Sequence, residues 1–252
     1  MSRQKNRPQI QPWGDAKPQD LSVKKELPRL RVQYVKDDRL AYLGHLEVLE
    51  TVNRCIRRAR LPFSIGNGFA RRMRIQFSQA LPVGASSDCE YFDLLLSEEV
   101  PIDEALGRLR DSTPRALAPV RAAYVAGRVP ALESWLTRSS WDVLVAECPM
   151  DAQELEERID KVKAAGTLNY LRGDKPKSID VSSALVSFSC SQEARGVRVL
   201  LDTRSSNSGS LRPQVLLDAA LSGVDSAYDS LKVRRTLQAH EDENSGLLVK
   251  PL

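Results

Sequence analysis

Residues 30–60 read LRVQYVKDDRLAYLGHLEVLETVNRCIRRAR, and two different periods meet inside them. In LRVQYV the apolar Leu30, Val32 and Tyr34 alternate with Arg31 and Gln33, the two-residue period of a strand with one buried face. From 43 to 60 the apolar positions Leu46, Leu49, Val52, Ile56 and Ala59 recur every three or four residues, the period of a helix that covers a core. A strand followed at once by such a helix is the first half of a sheet-and-helix unit.

Outward from this stretch the same order continues. Strands are predicted at 73–78 (MRIQFS) and 90–96 (EYFDLLL), a helix from Pro101, whose ring suits a first helical turn, and a strand within 117–126. That is βαββαβ over 29–126. After a loop at 127–138 come a strand at 140–147, a helix at 151–165 and strands at 167–172, 183–190 and 196–203. A helix opening at Pro213 and a strand at 231–240 complete the pass. Over 139–240 the order is therefore repeated with one extra strand. Two such passes predict an α+β protein of two ferredoxin-like halves, each an antiparallel sheet with two helices on one face and the other face open. Residues 1–28 hold four prolines and few apolar side chains, too little to offset the entropy of ordering them, so a flexible N-terminal arm is expected. Residues 241–252 read as a tail.

The helix of the opening stretch ends in charge. Arg54, Arg57, Arg58 and Arg60 are followed by Arg71, Arg72 and Arg74, and no acidic residue occurs from 51 to 87. Removing those seven arginines from a net charge of +4 leaves the rest of the 252 residues at −3, so the basicity is local. One or two cations satisfy a helix C terminus, but that gives no reason for the three at 71–74. In GNGFARRMR (66–74) glycines and Phe69 precede those three, so the backbone at Gly68 can approach a ligand closely beside guanidinium forks. The pattern suits phosphate, and nucleic acid is the commonest polyphosphate in a cytosol. The competing reading is a solvated face neutralised by carboxylates that the fold brings in, such as Glu98, Glu99, Asp103 or Glu104.

Other chemistry has little foothold. Cys55, Cys89, Cys148 and Cys190 are widely spaced, without the spacing of a zinc or iron–sulfur motif, and read as reduced thiols of a cytoplasmic protein. No metal site is predicted. No apolar run approaches the roughly 20 residues that cross a bilayer. GxxxxGK[ST], GxSxG and HExxH are all missing. His45 and Glu47, at the start of the helix that leads into the arginines, are the candidate catalytic pair of a metal-independent ribonuclease. The structural alternative is that they cap and orient the helix start.

These residues resemble a known family. His45-Leu46-Glu47, Arg57-Arg58-Ala59, Leu61-Pro62, Gly68-Phe69, the L-P-x-G of 81–84 and Glu90-Tyr91 are similar to the motifs of the DUF2344 family, also called radical SAM-linked proteins. SIDVSSALVSF and GSLRPQVLLDAAL extend the likeness over roughly 29–240. Where that family commonly has G-F-N-P-H-P, this chain has Gly68-Phe69-Ala70-Arg71-Arg72-Met73, trading a histidine for charge. The resemblance implies association with a separate cobalamin-binding radical SAM protein and a neighbourhood of RNA-processing genes. The iron–sulfur cluster, S-adenosylmethionine and cobalamin would then belong to the partner, since this chain lacks a three-cysteine cluster motif. The expectation is a non-catalytic accessory that binds RNA or another phosphate-rich substrate. An RNA-cleaving or RNA-modifying enzyme using His45 and a scaffold that binds only protein are the alternatives.

Overall fold

The computed structural model describes residues 27–66, 71–127, 129–206, 209–224 and 230–252. In chain order the first part forms β1 (Arg29–Lys36), α1 (His45–Arg58), β2 (Ile75–Phe77), β3 (Ala85–Leu95), α2 (Ile102–Ser112) and β4 (Pro119–Tyr124). A short α3 (Leu132–Trp135) leads to β5 (Arg138–Ala146), α4 (Ala152–Ala164), β6 (Thr167–Arg172), β7 (Lys175–Asp180), α5 (Val181–Ala184), β8 (Leu185–Glu193), β9 (Gly196–Ser206) and β10 (Gly209–Ser210). The chain closes with α6 (Pro213–Ala220), β11 (Ser230–Glu241) and β12 (Leu248–Val249). It is a mixed α+β fold on a large, mostly antiparallel sheet.

The sheet is one continuous layer. Its main path runs β10-β9-β5-β11-β3-β1-β4, with β2 on β3 and β8 on β9. The first part contributes the antiparallel order β4-β1-β3-β2. The second contributes β11-β5-β9-β8, also antiparallel throughout. They join where β11 lies parallel to β3 over Val233 to Arg235 opposite Ala85 to Ser87. A parallel contact of three residues is a short seam, and each side keeps its own apolar core.

The helices follow from their sequences. In α1, Val48, Val52, Cys55 and Ile56 are buried at helical spacing, and the Glu47 carboxylate accepts the Gly44 N–H at 2.7 Å to cap the start. Against β1 and β3 this helix and α2 enclose Leu30, Val32, Phe92, Leu94 and Leu109. In α4, Asp151 caps by accepting the Glu154 N–H at 2.8 Å, and Leu155 and Ile159 meet Val143, Val145 and Val199 of the sheet. Gly196 turns β8 into β9 at φ 140°, and a Cβ there would stand 2.0 Å from the Val145 carbonyl oxygen, so only glycine fits.

Four expectations need correction. Residues 241–252 are no tail: β12 pairs with His240 and Glu241, Pro251 is buried, and Leu252 packs on the Cys89, Tyr91, Leu132 and Leu136 cluster. The back face of β3 is consequently not open, because α3 and the C-terminal segment cover it. The loop at 127–138 contains that helix, with Leu132 fully buried. The extra strand of the second part is a hairpin, β6 with β7, forming a small separate sheet. Of the expected arm, residues 1–26 lie outside the described residues.

Candidate nucleic-acid interface

The seven arginines fall on two connected pieces. Arg54, Arg57 and Arg58 are exposed on the outer side of α1, spaced three and four residues apart, so they share one helix face. The helix closes at Ala59, and Arg60 follows with φ 52°, the left-handed conformation usually taken by glycine at that place. Leu61 to Phe63 then run to the end of β3: the Ser97 N–H donates to the Pro62 carbonyl at 2.7 Å, and Phe63 bridges Leu96.

The second piece is a hairpin-like excursion. The Gly66 N–H donates to Arg72 O at 2.9 Å and the Arg74 N–H to Ser64 O at 2.9 Å, while Ile65 bridges Met73. Met73 is buried in the first core and anchors the return. Ser64 N–H donates to the Leu95 carbonyl and Leu95 N–H to the Arg74 carbonyl, so both limbs are tied to the same strand end. Arg71, Arg72 and Arg74 are exposed there, Arg71 with φ 40°. Gly68 and Phe69 lie outside the described residues. Pairing thus brings the helix end and the arginine-bearing limb to one end of β3, around Leu94 to Leu96.

None of the seven arginines forms an ion pair among the described residues. The carboxylates expected to neutralise them do not: Glu104 pairs with Arg108 along its own helix, and Glu98, Glu99 and Asp103 are exposed without such a contact. What the arrangement offers is a group of solvated guanidinium forks without an ion pair among the described residues, suited to several phosphates of one chain.

His45 and Glu47 stand elsewhere. Thirteen residues separate His45 from Arg58, a rise of roughly 20 Å along the helix, so His45 is not beside an anion gripped at the helix end. Glu47 is accounted for by its capping bond. His45 is half-buried, edge-on to the Phe77 ring with centroids 6.3 Å apart, and burial pushes its imidazole below the ordinary value while Glu90 and Glu133 pull it up. Lys36 and Arg235 also lower it.

Sequence reasoning missed the charged interior near His45. Lys36, 3% exposed, donates its ammonium to the carbonyls of Ala41, Leu43 and Ala85 at 2.9, 2.9 and 3.3 Å. Arg235, 2% exposed, lies 3.6 Å from Glu90, stacks on Trp141 and donates to the carbonyls of Gln79 and Ala80. Gln238 donates to the Glu90 carboxylate and to the Cys89 carbonyl. On the other face Arg31 grips Asp93 through two bonds of 2.7 and 3.0 Å under Trp135. The available signal was Glu90 and Asp93 inside the apolar run EYFDLLL, where an interior carboxylate demands a partner. All four cysteines are free thiols, and burial raises Cys89 and Cys190 to about 12.

Residues 29–213 match the family described as "Uncharacterized protein conserved in bacteria (DUF2344)", and the chain belongs to that family. No curated protein matches it. Among solved structures it is similar to one described as a Cbf5-Nop10-Gar1 complex, at 9% identity and a TM-score of 0.45, covering 90% of this chain and 54% of that one. This chain thus spans about half the length of that structure's chain. It is also similar to an unknown protein from Galdieria sulphuraria, at 9% identity and a TM-score of 0.25, over 84% of this chain and all of the other.

Proposed function

We propose that this protein is a non-catalytic accessory that binds single-stranded RNA through Arg54, Arg57, Arg58, Arg60, Arg71, Arg72 and Arg74. The observation that carries this reading is their shared exposure without an ion pair among the described residues, since a merely solvated face of this density would be expected to recruit carboxylates. The partner is a separate radical SAM enzyme, which supplies the cluster, S-adenosylmethionine and cobalamin; this part rests on the family resemblance. Free thiols favour a reducing compartment, the cytoplasm. The strand orders β4-β1-β3-β2 and β11-β5-β9-β8 support reading the two parts as ferredoxin-like halves.

Fluorescence anisotropy with a labelled single-stranded RNA tests the binding. The affinity should fall with salt on a log–log slope near −0.7 for each phosphate engaged. Replacing Arg71, Arg72 and Arg74 together by glutamate should remove binding and leave the circular dichroism melt unchanged. A salt-insensitive affinity, or full binding by the charge-reversed variant, would sink the reading. RNA cleavage by the wild type that is lost in His45→Ala would restore the enzymatic alternative.

A further inference from the structure

A second cationic site lies in the other part of the molecule and shares no residue with the arginine patch. It is a cleft of about 500 Å³ on the side of the second core, roofed by Gln79 to Pro82 and bordered by the β6–β7 hairpin and the start of α6. Arg172, Arg212 and Arg235 all line it, against one carboxylate, Glu133. Arg212 is half-buried immediately before α6, and it forms no ion pair among the described residues. Burial and then the neighbouring Arg172 push its guanidinium below the ordinary arginine range, with Tyr170 acting weakly the other way. Two like charges lining one cleft, with no ion pair among the described residues, are an arrangement that a bound anion would stabilise.

Two further polar residues belong to the wall. Ser139 lines the same wall; its carbonyl accepts from Thr203 at 3.1 Å, and its hydroxyl makes no hydrogen bond among the described residues. Arg235, 2% exposed and with its Nε 3.6 Å from the Glu90 carboxylate, contributes to the wall with its charge already compensated. Bare phosphate would underfill the cleft, whose volume falls in the range of small-ligand sites of about 300–1,000 Å³. An adjoining lobe of about 560 Å³, sharing Gln79, Glu133 and Ser134, gives room for more.

We propose that this cleft binds a small phosphate monoester of mononucleotide size, its phosphate held by Arg212 and Arg172 at the start of α6 and its hydroxyl-bearing remainder facing Glu133. Isothermal titration with uridine monophosphate, inorganic phosphate and uridine tests it on the full-length protein. Uridine monophosphate should bind, inorganic phosphate more weakly, and uridine more weakly still. Arg212→Ala and Arg172→Ala should each weaken the nucleotide about tenfold or more, as expected for losing a charge-assisted bond. Both variants should melt as the wild type does; if Arg212→Ala does not fold, Arg172→Ala alone decides. The glutamate triple variant at Arg71, Arg72 and Arg74 should still bind the nucleotide, which separates this site from the RNA interface. Equal affinity for uridine and its monophosphate, no heat from either, or loss of nucleotide binding only in the triple variant would overturn the proposal.

Discussion

Two populations of arginine divide this molecule. At the end of α1 and along the limb that follows, seven guanidinium groups are solvated and form no ion pair among the described residues. Within the sheet, Arg31, Arg138 and Arg235 are each less than a tenth exposed, and each has brought an acid: Asp93, the pair Asp202 and Glu241, and Glu90. The difference is one of solvation. A charge leaving water must be compensated by its fold, whereas a charge that stays in water is free to meet something outside it. Two of the exposed group, Arg60 and Arg71, even occupy left-handed backbone, which costs any residue with a Cβ energy. The sheet arginines are compensated inside the fold; the exposed ones form no ion pair among the described residues.

The contrast can be broken most severely at Asp93. Asp93→Ala leaves Arg31 buried without its carboxylate and should cost about 3–5 kcal/mol of unfolding free energy in urea, the usual consequence of removing one member of a buried pair. A loss below about 1 kcal/mol would mean that the buried pairs are not what distinguishes the two populations. On the exposed side, Arg72→Gln should shift stability by no more than about 0.5 kcal/mol. It should nevertheless lower the salt slope of RNA binding by about 0.7.

Arg60→Gly sharpens the comparison because its two effects have opposite signs. Relieving the left-handed residue should stabilise the protein by about 1 kcal/mol, read as a higher urea midpoint, while RNA binding weakens. The smallest effect concerns acid. Hydrogen bonds from Arg204 and Arg138 hold Glu241 at about 2, against an ordinary value of 4.5. Its contribution is therefore complete above about pH 4.5 and is lost as pH falls towards 2, because the unfolded chain takes up the proton first. Glu241→Gln should flatten the stability profile across that window, and an unchanged profile would show that the carboxylate is not held by those arginines.

Much of the fold was readable because its signals are local. The period of Val48, Val52 and Ile56 marks α1 wherever that helix ends up, and Pro213 marks the start of α6. What escaped notice depended on distant company. Leu132, Leu136 and Leu252 sit in short, mixed segments that resemble loops, and they are buried only because Cys89 and Tyr91 present an apolar back face to them. β7 went unread because Lys175 to Asp180 is polar and pairs only with β6. The arginine patch was legible as charge, but its lack of counter-charge was not, since the fold decides which acids arrive. The cleft was illegible: Arg172, Arg212 and Arg235 are dispersed in sequence and converge only in the folded chain.

Sequence alone determined the repeated order of strands and helices and the segregation of seven arginines into one acid-free window, because both are properties of neighbours along the chain. Tertiary structure decided that the two parts share one sheet through β3 and β11, that Arg31 meets Asp93 across 62 positions, and that two strand-end connections hold the free arginines together. Those outcomes rest on which surfaces leave water together. That is settled by packing between segments remote in sequence, and no local period encodes it.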